Sequence, residues 1–287
     1  MPTALESLTR TAERPAIEII VPARNEARRL PLGLAALCAK AATLPLPVTI
    51  LVVDSASTDS TGDVVRSWPA GPVPVGLLRC DRPGKGLAVR AGLLATQAPL
   101  VGFCDADMAT DLSALDDAVH LLMAGHQVVI GSRGLRESVV QSRSSLARRA
   151  GAFLFRAVAA SIVSGSTDTQ CGFKFFTGPL ARAAAGSLRT GGFSFDVELL
   201  ASCLRLGATV TEIPVQWQDV SGSTFSVSRH SAAVFRDLAS IWLRSQAQPD
   251  RVKQDEAQAT EGSPAGYAGW ATPAAPLPQL ASDGVAS

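Results

Sequence analysis

Two aspartates one residue apart, Asp105 and Asp107, close the apolar run Leu100-Val101-Gly102-Phe103-Cys104. Carboxylates at i and i+2 beyond a buried strand can share one hard cation, and Mg²⁺ is usually held by one or two carboxylates together with substrate phosphates. Gly84-Lys85-Gly86 opens a helical stretch and offers backbone N–H groups and one cation to an anion such as phosphate. It lacks the GxxxxGK[ST] spacing of a Walker A loop. Two more polar clusters, Pro22-Ala23-Arg24-Asn25-Glu26 and Asp54-Ser55, follow apolar, β-branched runs. Any one of these is ordinary turn or cap chemistry; Asp111, for example, reads as the N-cap of the following helix. Three polar strand ends in one sheet are a different matter, because open α/β sheets bind ligands beyond the carboxyl ends of their strands.

The elements that must position these groups are short. Strands are expected over 17–21 (stopped by Pro22), 48–53, 75–79, 100–104 and 127–131, with helices over 26–41, 84–97 and 111–124. Continuous apolar strands alternating with helices predict an α/β domain with a mostly parallel sheet covered on both faces. The second half is less regular. Helical spacing covers 146–163, 193–206 and 231–244; 168–177 reads as extended or loop, and 209–217 as an edge strand because Pro214 lacks an N–H. The expected organisation is an N-terminal extension (1–15), one domain (16–245) and a disordered Gln/Pro/Ala/Gly/Ser tail (246–287).

Composition excludes several classes. The 26 basic and 25 acidic residues give a net charge of +1, which does not suit a broadly basic nucleic-acid binder. With 47% hydrophobic and 18% charged residues the chain has the balance of a globular domain. Five scattered cysteines with no CxxC spacing point to a reducing compartment, not to zinc or a disulfide framework. His120, His126 and His230 are not spaced as metal ligands. No apolar run reaches the roughly 18 residues of a membrane span, and no signal-peptide h-region is visible, so a cytoplasmic location is expected.

The ordered motifs VPARNE (21–26), VVDSASTDST (52–61), GKGLAVRAG (84–92), DADMAT (105–110) and GSR (131–133) resemble those of inverting family 2 glycosyltransferases with the Rossmann-like GT-A fold. DTQCGFKFF (168–176), FDVELL (195–200) and EIPVQWQDVSGST (212–224) are similar to the dolichyl-phosphate β-glucosyltransferase branch, near the polyprenyl-phosphate mannosyltransferases. The resemblance implies that Pro22, Ala23 and Glu26 line the nucleotide pocket and Asp54 contacts the base, with Lys85 nearby. It implies that Asp105 and Asp107 hold the ribose and a Mg²⁺- or Mn²⁺-bound diphosphate. Arg133 would face the acceptor phosphate, with Asp168 and the segment Gln170–Lys174 flanking the reaction centre. Ser55, Met108-Ala109 and Thr224 stand where relatives often carry an aspartate, a further polar ligand and a basic residue.

The implied reaction moves a hexose, glucose by the DTQCGFK similarity, from UDP-glucose or GDP-mannose to a polyprenyl phosphate. A phosphate acceptor, with a second pKa of about 6, is already ionised at neutral pH and needs positioning more than a base. A hydroxyl acceptor would need a carboxylate base, for which Asp168 and Asp196 both qualify. Within 146–163 a small-to-apolar stripe is flanked by arginines, as in helices that lie in a membrane interface. The same pattern fits a core-facing helix with solvated arginines; the family resemblance favours the interface and implies that Arg133, Arg143, Arg148 and Arg149 cradle the acceptor phosphate at a membrane surface. The alternatives are a same-fold enzyme acting on a soluble hydroxyl and a non-catalytic nucleotide-sugar-binding module. A sugar nucleotidyltransferase is disfavoured by the missing GxGxR loop after the first strand.

Overall fold

The apolar runs pair into one seven-stranded sheet in a computed structural model that describes residues 15–141, 155–192, 194–218 and 236–244. Its elements are β1 (Ile17–Ala23), α1 (Leu30–Ala41), β2 (Val48–Ser55), α2 (Thr61–Arg66), β3 (Val75–Cys80), α3 (Lys85–Ala95), β4 (Leu100–Cys104), α4 (Ala114–Met123), β5 (Val128–Ser132) and β6 (Val139–Gln141). They continue with a helix at 155–162 (α5), β7 (Phe173–Thr177), α6 (Gly178–Gly186), α7 (Phe195–Arg205), β8 (Val210–Pro214), β9 (Gln216–Gln218) and a helix at 236–244 (α8). The strand order is β3-β2-β1-β4-β7-β5-β8, and β6 pairs with β9 in a separate parallel ribbon.

The sheet is parallel except at β7, which runs antiparallel between β4 and β5. Side chains alternate between its two faces, as the pleat requires. Ile17, Ile19 and Val21 pack with Leu30, Leu34 and Leu37 of α1 and Leu115, Val119 and Leu122 of α4. Ile20 points the other way, into a layer with Val89 and Leu93 of α3, Ala184 and Ala185 of α6, and Phe195 and Leu199 of α7. This places the sheet between two helical layers.

Several expected boundaries move. β1 continues through Pro22, because beyond Ile20↔Phe103 it is flanked by β2 alone and one side needs no N–H. Asp111 is not the N-cap of α4. That helix begins at Ala114, while the Asp111 carboxylate accepts a hydrogen bond from the Ser113 N–H (2.8 Å) in an Asx turn just upstream. Segment 168–177, expected to be extended or loop, supplies β7 in the middle of the sheet. α6 was not anticipated: its buried face is Ala181, Ala184 and Ala185, small residues with little hydrophobic contrast. Pro214 does lie on an edge strand. The stripe and arginines at 142–154, Arg143, Arg148 and Arg149 included, lie outside the described residues, as do the loop with Thr224, His230 and the terminal segments.

Candidate active site

Among the described residues, three other than glycine adopt left-handed backbone conformations: Asn25 (φ 55°), Ala56 (φ 52°) and Met108 (φ 49°). They lie in the loops that leave β1, β2 and β4 at their carboxyl ends. Such conformations cost roughly 1–2 kcal/mol for alanine or methionine, so the surroundings must over-determine them. Hydrogen bonds between the first two loops do so. Asn25 Oδ1 accepts from the Thr58 N–H (2.8 Å), and the Asn25 N–H donates to Ser57 Oγ (3.0 Å). The Glu26 N–H donates to Thr61 Oγ1 (2.8 Å), while Asp59 accepts from the N–H groups of Ala27 (3.2 Å) and Thr61 (3.0 Å). Asp54, only 2% exposed, accepts from the Ser57 N–H (3.0 Å). VPARNE and DSASTDST are thereby one interlocked unit.

The Glu26 carboxylate is taken by Arg29, at 2.5 Å and 2.7 Å. Arg29 Nη1 is buried without a partner among the described residues, and both Glu26 and the nearby Asp107 favour its charge. Ser55 accepts from the Gly84 N–H (2.9 Å) and lies within hydrogen-bond reach of the carbonyls of Arg82 (3.3 Å) and Gly84 (3.2 Å). An aspartate in its place could not donate to those carbonyls. Ser55 therefore fastens the turn from which Lys85 emerges.

Lys85 Nζ meets Asp105 Oδ1 at 2.5 Å and sits 5.9 Å from the Phe195 ring. Burial alone would lower the Lys85 ammonium; Asp105, Asp196 and Asp107 outweigh it and hold it above its ordinary value. Asp105 rests on Gly172, whose carbonyl accepts the Asp105 N–H at 3.0 Å. A Cβ on Gly172 would overlap the Asp105 carboxylate. Burial, and then the adjacent Asp105 charge, push the Asp107 carboxyl above the usual carboxylate range. Two crowded carboxylates of this kind suit a divalent cation. No group of three or more His, Cys, Asp or Glu is arranged to hold a metal among the described residues. A cation bound here must take its remaining ligands from water or from phosphate oxygens, as Mg²⁺ commonly does.

The Gly172 contact is directly testable. Gly172→Ala is expected to lower kcat/KM about 100-fold by displacing Asp105, since misplacements of about 1 Å cost that much. Thermal denaturation beside steady-state rates checks this: a Tm close to the parent with unchanged kcat/KM would contradict it.

Along the same carboxyl edge of the sheet, beyond β7, Arg133 and Asp168 form a bidentate pair, Nε to Oδ2 at 2.6 Å and Nη2 to Oδ1 at 2.9 Å. Asp168 also accepts from the N–H groups of Arg133 (3.0 Å) and Gln170 (3.1 Å). Burial would raise its carboxyl, but the Arg133 hydrogen bonds and charge prevail and hold it below the ordinary range. So engaged, Asp168 is a poor base. The Arg133 guanidinium is 5.3 Å from the Trp217 ring. Asp196, the other candidate base, is sealed against Lys174 Nζ at 2.6 Å. Burial raises its carboxyl, and Lys174 and Lys85 work against that rise. Cys171 is fully buried, its thiol raised by burial, and packs at 3.7 Å from Thr110 Oγ1.

The structure thus gathers Lys85, Asp105 and Asp107 with Asp196 and Gly172 near β4, and pairs Arg133 with Asp168 at the end of β5. Pro22 and Ala23 end β1 beside Asp54, paired in the register Ala23↔Asp54. The sequence reading assigned no role to Arg29, Glu198 or Glu212. Glu198 is buried, accepts from the N–H groups of Arg189 (3.1 Å) and Thr190 (2.7 Å), and pairs with Arg244 at 2.7 Å. The available signal was an acid placed within a largely apolar strand or helix.

The profile of glycosyl transferase family 2 matches residues 18–176. Dolichyl-phosphate beta-glucosyltransferase of Drosophila melanogaster is 34% identical, over 79% of this chain and 74% of its own. The protein of the same name from Dictyostelium discoideum is 31% identical over the same shares. A similar fold occurs in Mycobacterium tuberculosis glucosyl-3-phosphoglycerate synthase, solved with Mn²⁺, UDP and glucosyl-3-phosphoglycerate, at a TM-score of 0.59 and 19% identity over 83% of this chain and 82% of that one.

Proposed function

This chain belongs to glycosyl transferase family 2, and from that premise we propose that it transfers glucose from UDP-glucose to a polyprenyl phosphate of the dolichyl type, with inversion. The bond from the anomeric carbon to the donor diphosphate breaks as one to an acceptor phosphate oxygen forms on the opposite face. The nucleoside diphosphate leaves with the bonding electron pair. Pro22, Ala23, Glu26 and Asp54 line the nucleotide, and Lys85 and Arg29 face its phosphates. Asp105 and Asp107 would hold Mg²⁺ or Mn²⁺, whose charge stabilises the departing diphosphate. Arg133, oriented by Asp168, receives the acceptor phosphate together with Arg143, Arg148 and Arg149.

The observation that carries this reading is the state of the two candidate bases. Asp168 is saturated by Arg133 and the Gln170 N–H, and Asp196 is buried with Oδ1 paired to Lys174, so each candidate base is already engaged with a cation. A phosphate acceptor already ionised at neutral pH needs neither. Similarity to relatives named for dolichyl phosphate supports the same acceptor, and the UDP in the structural neighbour favours UDP over GDP. No helix among the described residues is long and apolar enough to cross a membrane. In this reading the protein meets the lipid acceptor at a membrane surface, because the polyprenyl chain of such an acceptor requires a lipid interface, and does so on the cytoplasmic side.

The test combines purified protein, Mg²⁺ or Mn²⁺, and radiolabelled UDP-glucose or GDP-mannose, with and without dolichyl phosphate. Metal-dependent label in the organic phase from UDP-glucose is the expected result. Sugar transfer to water-soluble product alone would replace the lipid by a hydroxyl acceptor, and no turnover of either donor would leave a binding module.

A further inference from the structure

Glu212 lies on the edge strand β8, opposite Ile130 of β5. Its carboxylate gathers one loop. Oε1 accepts from Ser166 Oγ (2.8 Å), the Thr167 N–H (2.7 Å) and the Asp168 N–H (3.1 Å), and Oε2 accepts from Thr167 Oγ1 (2.7 Å). Three of the four donors converge on Oε1; a carboxamide could keep those three but would reverse the hydrogen bond to Thr167 Oγ1 and lose the charge that strengthens all four. Thr167 Oγ1 also meets Ser132 Oγ at 2.7 Å, tying the loop to the end of β5 from which Arg133 emerges. Asp168, fixed at its main chain by Glu212, presents both carboxylate oxygens to Arg133. That pairing occupies Nε and Nη2, and the guanidinium carbon lies over the Trp217 ring, 5.3 Å from its centroid.

We propose that Glu212 is a positioning residue: through the 166–168 loop and Asp168 it sets the direction in which Arg133 presents its guanidinium to the acceptor phosphate. The inference rests on the acceptor role given to Arg133 above. The β5–β8 ladder does not need this acid. What the acid adds is a rigid chain of charge-assisted hydrogen bonds from an edge strand to a ligand-facing cation.

Glu212→Gln, Arg133→Met and the double variant, made in the full chain, separate the possibilities. Steady-state KM for UDP-glucose and for dolichyl phosphate is measured for each, beside thermal melting. Glu212→Gln is expected to raise the acceptor KM about tenfold while leaving the donor KM unchanged, since small misplacements of binding groups have effects of this size. Arg133→Met should raise the acceptor KM at least as much. The double variant should be no worse than Arg133→Met alone, because the two residues act through one group. Multiplying effects, or equal shifts of both KM values in Glu212→Gln, would overturn the positioning role while sparing the role of Arg133. An unchanged acceptor KM in Arg133→Met would overturn that role and this inference with it. If Glu212→Gln does not fold, Ser166→Ala removes a single donor, and an acceptor KM unchanged in that variant would equally refute the proposal.

Discussion

Asp107→Asn is expected to abolish nearly all turnover while leaving the protein at least as stable as its parent. Loss of one group that stabilises charge developing on a leaving group costs about 100- to 1000-fold in kcat, and a carboxylate in the metal-holding role proposed for Asp107 belongs at the upper end of that range. The stability half follows from the direction of its pKa. Burial and the Asp105 charge hold the Asp107 carboxyl above its unfolded value, so the folded protein binds that proton more readily than the unfolded chain. The ionised form therefore costs stability at neutral pH, and the cost disappears as pH falls through the raised folded value. An uncharged asparagine removes it at all pH values. The same shift predicts that divalent-cation binding weakens on the acid side at a higher pH than for an ordinary aspartate, because ligation requires the carboxylate. Rates, melting curves and Mn²⁺ titrations on the variant and parent check all three. A variant with clearly lower Tm and a proportional activity loss would mean that Asp107 is structural.

The second large effect falls on Lys174. It is completely buried, donates to the Cys171 carbonyl (2.5 Å) and pairs with Asp196, whose side chain is 4% exposed. Its ammonium also sits 5.3 Å from the Phe103 ring. Lys174→Met leaves Asp196 without its close partner, which for a buried pair costs about 3–5 kcal/mol. Lys174→Met combined with Asp196→Leu replaces both charges by apolar groups and is expected to recover most of that loss, as such replacements are often neutral. Urea unfolding of the single and double variants measures this. Activity should not return with stability, because the ammonium also holds the Cys171–Gly172 turn against which Asp105 rests. A double variant as unstable as the single one would show that the Cys171 hydrogen bond, and not the charge pair, dominates.

Much of this site was legible in the residues. Asp105 and Asp107 were placed by the five apolar residues before them, and Lys85 by a glycine turn before a helix, both local patterns. Less legible were groups whose partners lie far along the chain. Lys174 was read only as part of a segment flanking the reaction centre, yet its partner stands 22 residues away on another element. Glu212 carries no local signal of its partners inside its edge strand, because they lie 44 to 46 residues upstream. Ser55, noted as a departure from relatives, turned out to fasten the loop that carries Lys85.

The sequence by itself determined the strands of the parallel half, the polar groups at their carboxyl ends and the family, because periodicity, turn chemistry and ordered motifs are all written within short windows. The tertiary structure alone decided that β7 enters antiparallel between β4 and β5, which brings Gly172 beneath Asp105 and buries Lys174 beside Asp196. It also decided that both candidate bases are held by cations. Strand order and long-range ion pairs depend on which distant surfaces exclude water together, and no local pattern of residues encodes that choice.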